Sequence, residues 1–328
     1  MKKTFRYLGV IIGIVVAVII IFILISYINH QVHLFKEDEL FVPNGQIVEV
    51  NGHNIHVYTE GEGDTTLVFM SGGGTSSPVL DFKSLYSLLS HKYRTVVVEK
   101  AGYGFSDLVD ANRDIDTILS ETREALSEAK ISGPYILMPH SMSGIEALYW
   151  AQEYPDEVRA IIGLDMAVPE SYEDYEINIP MLKLSAFVAN VGVTRWIPGI
   201  SESDAIKYGT LTEGEKELYR TIFYRRTATK TMLEEVQEIK TSASKVKESE
   251  IPNIPILIFS SNGQGTGWKE DAWISFQNNY IKKVKDGKIL NLDCSHYVHD
   301  IEYKKIANEK VPFYYKKIYR GITIFFAP

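Results

Sequence analysis

Six short apolar runs rich in β-branched residues recur along this chain, and stretches with a helical pattern separate most of them. Each run has roughly the length of a strand, about 4–8 residues. Continuous apolar runs are typical of parallel strands, which are buried on both faces of a sheet. Strands that alternate with helices predict an α/β fold, in which helices cover a mostly parallel sheet. The runs lie at 65–70, 95–99, 135–138, 159–164, 256–259 and 288–292.

Helical patterns fill several of the intervals between these runs. At 114–130 apolar residues recur at the helical period, with charged residues on the other face. Residues 144–153 and 301–317 are also predicted to be helical. Ahead of the first run, 46–50 and 54–59 are joined by an Asn-Gly pair, which predicts a β-hairpin.

One long interval, 169–247, contains no strand pattern. Its helix-like segments at 179–190, 213–226 and 230–239 follow one another directly and predict a helical cap inserted between two strands of the sheet. We therefore expect one α/β domain. Its core would consist of 45–168 and 248–328, with the cap between them.

The N-terminal segment predicts a transmembrane helix at 7–28. About 20 uncharged residues at about 1.5 Å each span a bilayer core. A cleaved signal peptide would have an apolar region of only about 7–15 residues and a small-x-small cleavage site, and neither is found here. Basic residues precede the span, and acidic residues 37–39 follow it. This bias predicts that residues 1–6 are cytoplasmic and that the domain, after a linker at 29–44, lies outside the cell membrane.

The composition excludes some classes of function. A formal net charge of −8 argues against a nucleic-acid partner, because binding to phosphates requires clustered positive charge. Cys294 is the only cysteine, so neither an intrachain disulfide nor a thiolate metal cluster can form. The histidines also lack the i, i+4 or cysteine-paired spacing of zinc sites. We expect no metal and no cofactor.

A serine lies in the turn that follows the third apolar run. The sequence Pro139-His-Ser-Met-Ser-Gly144 comes directly after that run, and strand–serine–helix turns present serine nucleophiles. The usual pattern has glycine two positions before and after the serine, whereas this chain has Pro139 and Ser143. A serine between small residues is also a common helix N-cap. Ser141 is therefore a candidate nucleophile that needs support from other motifs.

Three further motifs supply that support. They are Ser71-Gly72-Gly73-Gly74, Ala101-Gly102-Tyr103-Gly104-Phe105-Ser106-Asp107 and Cys294-Ser295-His296-Tyr297-Val298-His299. With the serine turn, in this order, they make residues 45–320 resemble the α/β-hydrolase fold family. The resemblance is to its cap-bearing branch, which includes serine esterases and, with other nucleophiles, haloalkane dehalogenases. Dehalogenases and epoxide hydrolases of this fold need a carboxylate at position 141.

The resemblance implies roles for the glycine-rich loop and for the end of the serine turn. An oxyanion hole needs two backbone N–H groups that are in place before the reaction. One would be the amide of Met142. The other would be the amide of Gly73, although Ser71 replaces the histidine that the family commonly has in this loop.

The resemblance also implies a base and an acid. His296 follows the last strand, where the family has its histidine, and we favour it over His299; His140 is expected to be structural. No aspartate follows the run at 256–259. Some dehalogenases and lipases have the acid one strand earlier, which is Asp165 here. Asp271 and Asn262 remain alternatives.

These residues predict a membrane-anchored serine hydrolase that cleaves an ester or related acyl bond of a small molecule. Tyr172, Phe187 and Trp196 of the cap are predicted to bind substrate, or alternatively to pack the cap onto the core. A peptidase specific for N-terminal residues is a second possibility, because acidic residues of the cap would bind a free amine. A non-catalytic binding or signalling module on the same fold is a third. The acidic residues in question are Glu170, Glu173, Asp174 and Glu176.

Overall fold

The computed structural model describes residues 2–309. The end of the helix predicted at 301–317 and the last part of the predicted core, up to residue 328, lie outside these residues. The described chain contains an eight-stranded sheet. Its strands are β1 Gln46–Val50, β2 His53–Glu60, β3 Thr66–Met70, β4 Arg94–Glu99, β5 Tyr135–Pro139, β6 Val158–Leu164, β7 Ile256–Ser260 and β8 Gly287–Asn291.

The strand order is β1-β2-β4-β3-β5-β6-β7-β8. β1 and β2 form the predicted hairpin, and β2 pairs antiparallel with β4. All pairs from β4 to β8 are parallel. The prediction of a mostly parallel sheet is therefore confirmed. Because β5 and β6 are parallel neighbours, the loops at their carboxyl ends meet at one edge of the sheet, where open α/β sheets bind ligands.

Helices cover both faces of the sheet, as the continuous apolar runs predict. All five residues of β3, β5 and β7 are buried. The helices are α1 Lys2–Lys36, α2 Pro78–Asp81, α3 Lys83–Leu89, α4 Ile115–Glu128, α5 Ser143–Glu153, α6 Ile179–Asn190, α7 Asp204–Lys207, α8 Glu213–Arg226, α9 Lys230–Glu248, α10 Glu270–Ile281 and α11 Val298–Ile301. One core cluster packs the sheet against α4, α5, α9 and α10, and a second packs it against α2, α3 and α11.

The helices predicted from periodicity are present at the expected places, with three differences. α9 continues nine residues beyond the predicted end at 239. The helix expected from 301 is instead the short α11, then a break at Glu302, then a helical segment at 303–309. α3 and α10 were not predicted, because their apolar residues are interspersed with polar ones.

The segment between β6 and β7 is entirely helical in its regular structure, with α6 to α9 and two four-residue 3-10 turns, Pro169–Tyr172 and Val193–Trp196. α9 packs against α5, the helix that follows the serine turn. Glu235 of α9 also binds Lys100, which directly follows β4, so this part of the segment lies at the carboxyl edge of the sheet. In the part of the chain that the structure describes, one helix, Thr4–Lys36, is long and apolar enough to cross a membrane, and a signal sequence would meet the same criteria.

Candidate active site

Ser141 lies in a tight turn between β5 and α5, and its backbone is in the left-handed region, with φ of 55°. A non-glycine residue in that region is strained by about 1–3 kcal/mol, and such strain is concentrated at functional sites. The surrounding structure holds the turn in place. The Ala167 amide donates to the Ser141 carbonyl oxygen at 2.8 Å, and the Ser143 hydroxyl donates to the Met70 carbonyl oxygen at 2.7 Å.

The residues that replace the glycines of the usual pattern fit this turn. Pro139 is the last residue of β5, and Ser143 is fully buried with its hydroxyl bound to backbone oxygens. The turn packs most tightly against the neighbouring backbone one position after Ser143, at Gly144. A Cβ atom on Gly144 would lie 2.2 Å from the Ala167 carbonyl oxygen, so the requirement for glycine falls on Gly144.

The structure brings Ser141, His296 and Asp165 together. The Ser141 hydroxyl donates to Nε2 of His296 at 2.8 Å. Nδ1 of His296 donates to Oδ2 of Asp165 at 2.6 Å. His296 is 6% exposed and Asp165 is fully buried, while Ser141 is partly exposed. The arrangement has the geometry of a nucleophile, a general base and a carboxylate that orients the base.

Asp165 is held by several donors. Its Oδ1 accepts hydrogen bonds from the Ser261 amide at 2.8 Å, from Nε1 of Trp273 at 2.9 Å and from Nε2 of Gln277 at 3.1 Å. Burial by itself would raise the pKa of Asp165, but the hydrogen bond and charge of His296, followed by the Trp273 and Ser261 donors, lower that pKa overall. The carboxylate is therefore ionised at neutral pH and can stabilise a protonated imidazole.

Trp273 and Gln277 were not found from the sequence, because both lie on α10, which was not predicted. No short motif marks an indole or an amide as a donor to a carboxylate. The two alternative orienting groups lie elsewhere. Asp271 is an exposed residue in the first turn of α10, and the Asn262 side chain accepts from the Gln264 amide within its own loop.

The glycine-rich loop lies against the serine turn. A Cβ atom on Gly72 would lie 2.8 Å from the Ser141 Cβ, and one on Gly73 would lie 2.8 Å from Cε of Met142. Met142 is the N-cap residue of α5, so its amide lies at the positive end of a helix dipole. No described residue accepts a hydrogen bond from the amides of Gly73 and Met142. Both predicted oxyanion donors are therefore adjacent to the nucleophile and unpaired.

A buried charge network links this loop to the cap. The Gly74 amide donates to the Tyr103 hydroxyl at 3.4 Å, and that hydroxyl donates to Glu235 of α9 at 2.9 Å. Nζ of Lys100 lies 2.7 Å from Glu146 of α5 and 2.5 Å from Glu235. Burial alone would lower the pKa of Lys100, but the two glutamates raise it above its ordinary value. The network joins the motif after β4, the nucleophile helix and the cap.

The other two histidines near the site have structural contacts. His140 donates from Nε2 to the backbone oxygen of His296 at 3.3 Å, and burial, followed by its two histidine neighbours, lowers its pKa well below the usual value. His299 is fully buried and donates from Nε2 to Asp81 at 3.0 Å. Asp300 completes a buried cluster. A carboxylate oxygen of Asp81, a ring nitrogen of His299 and a carboxylate oxygen of Asp300 all lie within 4.8 Å of one another. His299 and Asp81 already bind each other, and we assign the cluster a structural role.

The three predicted substrate-binding residues lie in different places. Tyr172 is buried and packs against Trp268, which in turn packs against Trp273 beside His296. Trp196 is 51% exposed and lies against Phe22 of α1. Phe187 is 49% exposed on α6. Of these three residues, only Tyr172 is connected through aromatic contacts to His296.

The chain has a bacterial relative that is similar over most of its length. YbdG of Bacillus subtilis, an uncharacterised protein, is 37% identical over 266 residues, which cover 80% of this chain and 82% of YbdG. No family model matches the chain.

Solved structures of hydrolases share the fold at low sequence identity. A variant of an epoxide hydrolase from Bacillus megaterium superposes with a TM-score of 0.61 at 17% identity, covering 82% of this chain and 100% of its own. A loop variant of the haloalkane dehalogenase DbeA from Bradyrhizobium elkanii gives a TM-score of 0.58 at 16% identity, covering 83% and 96%. These similarities and the sheet order agree, so the chain has the α/β-hydrolase fold, and it belongs to the same family as YbdG.

Proposed function

We propose that this protein is a membrane-anchored serine hydrolase that cleaves an ester or related acyl bond through an acyl-enzyme on Ser141. The observation that carries the proposal is the continuous hydrogen-bond path from Ser141 through His296 to Asp165, at 2.8 and 2.6 Å. A hydroxyl is a weak nucleophile near neutral pH, and this path supplies the base that activates it.

The reaction would proceed in two halves. As Oγ of Ser141 attacks the acyl carbon, its proton passes to Nε2 of His296, and Asp165 stabilises the resulting imidazolium. The amides of Gly73 and Met142 would hold the oxyanion of the tetrahedral intermediate. His296 then gives the proton to the leaving group. In the second half, His296 takes a proton from the water that attacks the acyl-enzyme, and it returns that proton to Oγ of Ser141 as the bond to the acyl carbon breaks and the acid leaves.

The identity of the nucleophile favours acyl transfer over the reactions named for the two structural neighbours. Dehalogenases and epoxide hydrolases of this fold use a carboxylate at the position of Ser141. A serine in that position, with two unpaired amides beside it, is suited to a carbonyl carbon that becomes tetrahedral.

Membrane anchoring is the second part of the proposal. α1 is 35 residues long, and about 20 apolar residues suffice to span a bilayer. Basic residues before the span and acidic residues after it favour a cytoplasmic N-terminus and an extracytoplasmic domain.

The peptidase alternative receives less support from the cap. Glu170 pairs with Lys283 and Glu173 pairs with Lys247, both at 2.7 Å. Carboxylates that are already paired are less suited to bind the free amine of a peptide.

The test uses the full-length protein in detergent. A fluorophosphonate probe reacts with activated serines, and a panel of nitrophenyl esters of increasing chain length measures turnover. We expect labelling and turnover in the wild type and in Ser244→Ala, whose serine is exposed on α9. Both should be lost in Ser141→Ala. A folded wild type that neither labels nor turns over any ester would instead support the binding-module alternative.

A further inference from the structure

The cap has an apolar face on its outer surface. Outside α1 and the linker after it, the exposed large apolar side chains are concentrated between positions 181 and 200. The 42 acidic residues of the chain are absent from 177–201. α6 contacts the 3-10 turn Val193–Trp196, so these side chains lie on neighbouring elements, and an exposed apolar patch of this kind marks an interaction surface. The cap apolar face consists of Met181, Leu184, Phe187, Trp196, Ile197 and Ile200, which are 36–56% exposed.

This face is continuous with α1. The rings of Trp196 and Phe22 lie 6.1 Å apart. Ser26 and His30, one and two turns further along α1, are buried. A Cβ atom on Gly192 would lie 2.3 Å from the His30 Cβ, so the cap backbone touches the helix directly.

An ion pair fixes the same contact at the end of α1. Arg195, the residue before Trp196, binds both carboxylate oxygens of Glu37 at 2.8 Å. Bidentate pairs of this kind restrict orientation as well as distance. The cap is therefore held at a defined height along α1.

That height determines where the cap apolar face lies relative to a bilayer. The uncharged run ends near Tyr27, and Phe22 lies about 8 Å before it at about 1.5 Å per residue. A side chain that contacts Phe22 must reach the same depth. Trp196 would then lie at the boundary between headgroups and acyl chains, where tryptophan is enriched.

We propose that the cap apolar face enters the outer leaflet of the membrane, so that the partner of this surface is the lipid bilayer. This inference rests on the membrane anchoring proposed above. Interfacial helices bury their apolar face by about 5–10 Å, which agrees with the depth of Trp196. Lys183, the one charged residue of α6, has a long stem that can extend to the headgroups.

The experiment measures the depth of single labelled positions in the full-length protein, reconstituted in vesicles of phosphatidylethanolamine and phosphatidylglycerol. Leu184→Cys and Phe187→Cys carry the fluorophore NBD on the cap apolar face. Val15→Cys reports on the span. Leu88→Cys is the matched control, because Leu88 is 43% exposed on α3, just before β4 and so at the end of the sheet opposite to the cap. The native Cys294 should not react, because burial raises its pKa to about 12.

We expect doxyl-labelled lipid to quench positions 15, 184 and 187, with blue-shifted emission, and aqueous iodide to quench position 88. Quenching of 184 and 187 by iodide, with position 15 still quenched by lipid, would overturn the inference and leave the anchor in place. Shielding of 184 and 187 from both quenchers would also overturn it, in favour of a second copy or another protein on this face. Iodide quenching at position 15 would refute the anchor itself. Fluorophosphonate labelling of Ser141 in each sample reports separately on the proposed catalytic activity.

Discussion

Asp165 and His296 are separated by 131 positions in the chain, yet their side chains lie 2.6 Å apart. Asp165 directly follows β6, and the loop after β8 carries His296. Between these strands lies β7, whose following loop contributes the Ser261 amide to Asp165 but no acidic side chain. The carboxylate therefore reaches His296 from two strands away, and four hydrogen bonds keep it in position.

Replacing Asp165 with Asn should decrease kcat far more than it changes KM. An amide in this position would favour the wrong tautomer of His296 and would not stabilise the imidazolium, and in a serine protease the equivalent change costs about 10⁴-fold in kcat. Steady-state kinetics with the best nitrophenyl ester would measure the effect. Asp271→Asn is the matched control, because Asp271 is exposed on α10, and it should retain wild-type activity. Equal losses in the two variants would refute the assignment of Asp165.

Gly144→Ala should disturb the serine turn. The new methyl group would lie 2.2 Å from a backbone oxygen that cannot move alone, so α5 must shift and Ser141 with it. We expect a loss of fluorophosphonate labelling and a lower Tm. Gly214→Ala adds the same methyl group in open space near the start of α8, where alanine should stabilise the helix by about 1 kcal/mol or less. A Gly144→Ala variant that labels at the wild-type rate would contradict the close packing.

Lys100→Met should destabilise the folded state. It leaves Glu146 and Glu235 buried without their cation, and removing one partner of a buried ion pair costs about 3–5 kcal/mol. Thermal unfolding in detergent would measure this. Lys245→Met removes an exposed lysine that binds Asp116, a surface pair worth about 0–1 kcal/mol, and should change Tm little. Similar Tm values for the two variants would show that the buried network is not held by the lysine.

Asp300→Asn should stabilise the protein at neutral pH. Burial, followed by the charges of Asp81 and Asp204, raises the pKa of Asp300 well above its usual value, and both of its carboxyl oxygens lack hydrogen-bond partners among the described residues. Between the unfolded pKa of about 3.9 and the raised folded pKa, the native state holds more protons, so stability falls as pH rises. An asparagine does not titrate, so the variant does not lose stability in this way. Its free energy of unfolding should exceed that of the wild type by a difference that is small near pH 4 and widens towards pH 7. Unfolding curves at several pH values would measure this difference, and a constant difference would contradict the raised pKa.

The parts of the fold with strong local signals were accessible from the sequence. Buried strands are continuous apolar runs, and α4 has apolar residues at a clear helical period, so both could be recognised. α10 has no such stripe. It packs against the sheet through widely spaced residues such as Trp273 and Tyr280, and for that reason it was missed.

In the candidate site too, some residues have a local sequence signal and others do not. Ser141 and His296 stand in short motifs at strand ends, and the nucleophile turn and the final loop can be recognised one by one. Asp165 could only be proposed together with Asp271 and Asn262, because an acid that orients a histidine is defined by distance and not by neighbours in the sequence. Trp273 and Gln277, which hold that acid, have no local signal at all.

The sequence by itself determined which segments are strands, which segment is long and apolar enough to span a bilayer, and which residue is the candidate nucleophile. All of these depend on side chains that are close together in the chain. Only the tertiary structure decided that Asp165 contacts His296, that the requirement for glycine falls on Gly144, and that Trp196 lies against Phe22 and not beside His296. These contacts arise when parallel strands bring distant loops to one edge of the sheet and when the cap packs on α1, and local sequence patterns do not record such long-range distances.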